Sequence, residues 1–206
     1  MLLLNFKLIL MGKKIKTTLL LLASGLILNF ANTNLWILLI SVSLVPLFIF
    51  LNSKTKKKAP GIGFLFGFGI GTGMFFWMIQ GVSHYTGNGF FYGFLTCVFS
   101  SFFVGFYFTV ISWITKIIWD TNAKSNWTFL LNRLCVAAIW TVLESGLAFL
   151  LESFPLHYFR IGFPFVTNIY SIQLASLGGL ALLTFLTVLI NLLLQNHLFK
   201  KRKGIY

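Results

Sequence analysis

Six long apolar runs, at roughly residues 16–31, 35–51, 61–81, 90–115, 134–151 and 171–199, are joined only by short polar or basic links. Runs of this length and near-continuous apolarity cannot alternate faces as a soluble sheet or amphipathic bundle would, and each approaches the roughly 20 residues that carry a helix across a bilayer. In hydrocarbon every backbone N–H and C=O must find its partner within the protein, so the runs are expected to be helices rather than strands with open edges. The composition agrees: 58% of the residues are hydrophobic and 9% charged, against about 45–50% and 25% in soluble domains. The predicted fold is an all-α integral membrane bundle of about six transmembrane helices, and a water-soluble domain is excluded.

The charges then orient the bundle. Of 16 Lys and Arg residues, Lys7, Lys13, Lys14 and Lys16 precede the first run, and Lys54, Lys56, Lys57 and Lys58 lie between the second and third. Lys116, Lys124 and Arg133 separate the fourth from the fifth, and Lys200, Lys201, Arg202 and Lys203 follow the sixth. With six spans, all but Arg160 fall on one face. The excess of Lys and Arg marks the cytoplasmic side, so both termini are expected there, with links near Asn32, His84 and residues 152–170 outside. The organisation read from this is a basic N-terminal segment (1–16, of which 1–10 resemble an extension before a second start at Met11), a membrane domain (17–199) and a basic tail (200–206). A cleavable signal peptide competes for residues 11–31, but five further spans favour an uncleaved helix.

A net charge of +13 would point to nucleic acid in a soluble protein. Here the charge is divided among membrane-edge clusters instead of forming one face with stacking aromatics, so no nucleic-acid partner is expected. Cys97 and Cys135 sit inside apolar runs and are read as small hydrophobes of the core. Neither a metal nor a cofactor is expected.

Three places can carry chemistry. Gly63, Gly67 and Gly71, leading to Trp77, leave one helix face as bare backbone, which suits either close helix packing or an acyl groove between Phe-rich walls. Glu144 lies near the middle of the fifth run beside Ser145 and one turn after Trp140. An ionised carboxylate costs about 2.5–3.5 kcal/mol there on insertion scales, so Glu144 is either functional or a neutral, hydrogen-bonded interhelical contact. The outward link contains Glu152, Pro155, His157 and Arg160, and its prolines argue for an irregular or re-entrant stretch. Arg160 either holds a lipid phosphate or clasps Glu152. The three histidines, His84, His157 and His197, have no adjacent nucleophile motif, and a self-contained hydrolase site is not expected.

Several segments in order resemble the membrane half of the bacterial apolipoprotein N-acyltransferases, over about residues 17–197. They are Leu22-Ala-Ser-Gly-Leu-Ile-Leu with Asn34-Leu-Trp36, then Leu44-Val-Pro-Leu47, then Gly63-Phe-Leu-Phe-Gly67 leading to Trp77 and Ser83. Trp140 with Glu144, Phe154-Pro155, and Ile172-Gln-Leu-Ala-Ser-Leu-Gly-Gly179 leading to Phe185 and Asn191 complete the series.

The resemblance implies a bacterial inner-membrane protein and acyl transfer from a phospholipid to the N-terminal amine of a diacylated lipoprotein. The family's chemistry belongs to an external nitrilase-like domain with a Glu-Lys-Cys triad, to which no residue here corresponds. The expectation is therefore a truncated or split acyltransferase whose membrane half serves phospholipid and lipoprotein access, with a separate chain supplying catalysis. The family's basic residue three positions after the helix glutamate is Leu147 here, and the glycine after it is Ala148; Arg160 is a candidate to replace that charge by pairing with Glu144. Two other classes stay open: a small-molecule membrane module such as the substrate-binding subunit of a vitamin transporter, and a bundle with an assembly role alone.

Overall fold

A computed structural model describes residues 2–33, 36–87, 89–119, 125–150 and 160–203, with side chains for all of these except 2–14, 126 and 199–203. Among the described residues every regular element is helical: α1 (Leu2–Thr33), α2 (Ile37–Ser43), α3 (Val45–Ser53), α4 (Ala59–Met74), α5 (Met78–Thr86), α6 (Phe90–Ile118), α7 (Asn126–Leu150) and α8 (Ile169–Lys203). Short 3₁₀ turns at Lys56–Lys58 and Phe163–Thr167 precede α4 and α8.

The described parts of the six apolar runs are mainly helical, but they do not make six equal spans, and the last is kinked at Gly178 and Gly179, where the backbone leaves helical geometry. Ile15–Thr33, Phe90–Ile118, Trp127–Leu150 and Ile169–Leu198 are each long and apolar enough to cross a membrane, and α4 with α5 would make a fifth span bent by 54°. Ile37–Ser53 is shorter and is interrupted at Leu44. The helix α1 runs unbroken through Lys13, Lys14 and Lys16 from Leu2. Neither Asn32 nor His84 is in a link: Asn32 is buried in the last turn of α1 and His84 is on α5, the chain reversing instead around Gly87 and Gly89, both at positive φ.

The break at Leu44 is enforced two residues later. Pro46 has no N–H to donate, and its ring meets the carbonyl one turn back. The helical bond that should join the Leu44 N–H to the Ile40 carbonyl is replaced by the side-chain amide of Asn191 from α8. Its Oδ1 accepts from Leu44 N at 3.0 Å, and its Nδ2 donates to Ile40 O at 3.2 Å and to Thr187 O at 2.9 Å. Asn191 is fully buried, so the freed polar groups of one helix are satisfied by a side chain of another, as membrane helices require.

Glycine makes α4 a thin central rod. A Cβ on Gly63 would stand 2.2 Å from the Phe108 carbonyl oxygen, and one on Gly71 would stand 2.7 Å from Ser101 Cα, so this stripe is closed by α6. On a second face, a Cβ on Gly25 of α1 would lie 2.1 Å from Phe66 O, and one on Gly69 would lie 2.3 Å from Leu22 O. Two helices thus touch α4 backbone to backbone, the small-residue packing that gives membrane helices their dispersion contacts in the absence of a hydrophobic drive. Around the rod sits an aromatic core in which Phe48 approaches Trp119 and Trp140 at 5.7 Å each, and Phe108 approaches Phe66 at 5.6 Å and Trp140 at 6.0 Å. Large apolar residues of α6 such as Phe99, Phe106 and Trp113 are exposed, as a lipid-facing surface should be.

Three sequence expectations change here. Cys97 is buried, but Cys135 is exposed on α7 and is no core residue. Lys116 and Arg133 are not in a link; they lie within α6 and α7 and are buried. Trp77 stands in the break between α4 and α5 and is 64% exposed, so it does not continue the glycine stripe.

Candidate functional site

A cavity of about 370 Å³ lies where α1, α4, α6 and α7 meet the segment at Arg160. Its walls are apolar, from Leu28, Ile70, Met74 and Phe103. Polar groups are few: Asn29 and Asn32 from α1, Tyr107 from α6, Glu144 from α7, and Arg160. Such a chamber, apolar in body with a handful of placed polar groups, is the usual form of a small-molecule or lipid site.

Glu144 is the anchor of the polar part. It is 8% exposed, and its Oε1 accepts hydrogen bonds from the Ile161 N–H at 3.2 Å and the Thr184 hydroxyl at 2.8 Å. The carboxylate thereby ties α7 to α8 and to the segment at Ile161, the neighbour of Arg160. Gly162 completes this junction, since a Cβ there would stand 2.3 Å from Thr184 N. The expected pairing of Glu144 with Arg160 takes a different form: no ion pair closes between them, and the guanidinium acts on the carboxylate through space across the cavity they share. Glu144 is thus an interhelical hydrogen-bond hub that also lines the cavity.

Trp140 is buried between Phe48 and Phe108, one turn from Glu144, and its indole N–H has no hydrogen-bond partner among the described residues. Ser145 is half-buried and does not line the cavity. Leu147 and Ala148 do line it and keep this wall apolar. Gly63, Gly67 and Gly71 are filled by α6 and do not form a groove themselves. Glu152, Pro155 and His157, and with them the clasp between Arg160 and Glu152, lie outside the described residues.

Sequence reasoning did not single out Asn29, Asn32, Tyr107 or Thr184. A signal existed for the first two, since two asparagines three residues apart in an apolar run share a helix face. Tyr107 was hidden among the phenylalanines of α6, and Thr184 has meaning only through α7. Among the described residues, the buried Tyr107 hydroxyl, Asn29 Oδ1 and Arg160 Nε have no hydrogen-bond partner. Leaving such groups dry costs about 1–3 kcal/mol each. No cluster of three or more His, Cys, Asp or Glu side chains able to hold a metal occurs among the described residues.

A search among curated proteins returns no match for the chain. The model of the apolipoprotein N-acyltransferase N-terminal domain, however, matches residues 22–193, a stretch that includes every residue lining the cavity. This multi-pass membrane chain therefore belongs to the apolipoprotein N-acyltransferase family, through that N-terminal membrane domain.

Proposed function

We propose that this domain receives a phospholipid acyl chain from the bilayer in lipoprotein N-acylation, the transfer of an acyl group from a phospholipid to the N-terminal amine of a diacylated lipoprotein. The observation that carries the reading is the apolar cavity with a single carboxylate and a single guanidinium at its polar part. Phe103 lines the cavity and is also 64% exposed on the lipid-facing surface, so a chain can enter from hydrocarbon without crossing water. Arg160, Tyr107 and Asn29 then offer donors and an acceptor to the ester and phosphate of the lipid, with the Arg fork suited to phosphate oxygens.

Acyl transfer itself needs an activated nucleophile with a base in reach, and by the family resemblance a nitrilase-like catalytic unit supplies it. In this reading the membrane domain positions the donor lipid while the diacylated lipoprotein meets the catalytic unit outside. The distribution of Lys and Arg supports a bacterial inner-membrane orientation with the basic face, and both chain ends, on the cytoplasmic side.

The test is complementation. The chain is expressed with and without a protein carrying the Glu-Lys-Cys unit in cells that lack lipoprotein N-acylation, and the lipoprotein N-terminus is read by mass spectrometry. N-acylation only with both components is expected. Activity from this chain alone would overturn the division of labour, and a copurifying water-soluble small molecule in place of phospholipid would favour the transporter-subunit reading.

A further inference from the structure

At the basic end of the bundle, away from the cavity, the end of α6 gathers cationic and donor groups. Lys116 is in the last turn of α6 and only 7% exposed. The one acidic side chain among the described residues, Glu144, is committed to the cavity. The turn Lys56–Lys58 contacts α6, and Lys56 stands close enough to Lys116 for the two charges to repel. Three residues after Lys116, Trp119 is 4% exposed, and its indole N–H has no acceptor among the described residues. The ring is held by Phe48, at 5.7 Å, and by the Arg133 guanidinium, 4.3 Å from its centroid. It is therefore a fixed donor.

Two ammonium groups that repel, with a dry indole N–H three residues along the same helix end, are unfavourable without an acceptor, because like charges repel and a dry donor loses its hydration. Basic pockets between helices at the cytoplasmic edge of a membrane take anionic headgroups. The neighbouring surface fits the remainder of such a molecule, since Val110, Trp113 and Ile117, on the same stretch of α6, are exposed and apolar. A free anion would have no use for that surface. We propose that Lys56, Lys116 and the indole N–H of Trp119 hold the phosphate of an anionic phospholipid, with its acyl chains lying along α6.

Native mass spectrometry of the full chain in detergent, titrated with phosphatidylglycerol or phosphatidylcholine, tests this. Phosphatidylglycerol should bind the more tightly, Lys56→Gln and Lys116→Gln should each weaken it about fivefold, and Trp119→Phe should weaken it further. The exposed Lys57→Gln should leave it unchanged, and millimolar inorganic phosphate should not displace it. Thermal melting of each variant reports folding; if Lys116→Gln does not fold, Lys56→Gln on its exposed turn decides. Equal binding of the two lipids, wild-type affinity in folded Lys56→Gln, or displacement by inorganic phosphate would each overturn the proposal.

Discussion

Replacing Asn191 with leucine should cost this protein about 2–4 kcal/mol of stability. The amide makes three hydrogen bonds, to Leu44 N, Ile40 O and Thr187 O. Thr187 O keeps the ordinary helical bond of α8, so the loss falls on the first two. With Pro46 in place the Leu44 N–H and Ile40 carbonyl cannot simply rejoin, and each buried orphan costs about 1–3 kcal/mol. That gives about 2–6 kcal/mol. Interhelical hydrogen bonds in membranes average only about 0.6 kcal/mol, with a maximum near 1.7, because the unfolded chain in lipid also finds partners. The expectation is therefore placed in the lower part of that interval. Denaturation of purified wild type, Asn191→Leu and Thr187→Val in mixed detergent micelles, followed by circular dichroism, measures it. Thr187 bonds only to Leu183 O within its own helix and serves as the control, shifting little. An Asn191→Leu protein within about 0.5 kcal/mol of wild type, the scatter of an ordinary surface change, would refute the reasoning that the break needs this amide.

Two further outcomes follow from the packing. Gly25→Ala and Gly63→Ala each drive a Cβ to within 2.2 Å of a backbone oxygen and should lose at least the 1–3 kcal/mol typical of overpacking (about 2 or more, since backbone cannot rotate away). Gly146→Ala meets nothing within 4 Å and should be neutral or stabilising by up to about 1 kcal/mol, as read from melting midpoints of the three variants. Ala148→Trp should fill the cavity that Ala148 lines. It should reduce labelling of Phe103-containing peptides by a photoreactive acyl phospholipid several-fold while the melting midpoint stays near that of wild type, and unchanged labelling would place the lipid elsewhere.

How much of this was legible beforehand depended on the range of the interaction. The apolar runs are a one-dimensional property, and the solvent alone converts them into helices. Glu144 stood out for the same reason: a carboxylate in an apolar run is conspicuous whatever surrounds it. Its dual role did not, because Thr184 and Ile161 reach it from 40 and 17 residues away. The glycine stripe was visible, yet whether it bounded a groove or met a helix depended on which partner filled it. Trp77 was assigned to that stripe because spacing does not reveal the 54° bend.

By itself, then, the amino-acid order determined the solvent, the secondary structure and the family pattern, all of which depend on local apolarity and on residue order. Only the tertiary structure decided where the free space lies and which polar groups remain unpaired. Asn191 shows why: its amide replaces a hydrogen bond of a helix about 150 residues earlier, and no local property of either segment encodes that meeting. Tyr107, Asn29 and Arg160 likewise become a site only because three distant segments leave the same cavity between them.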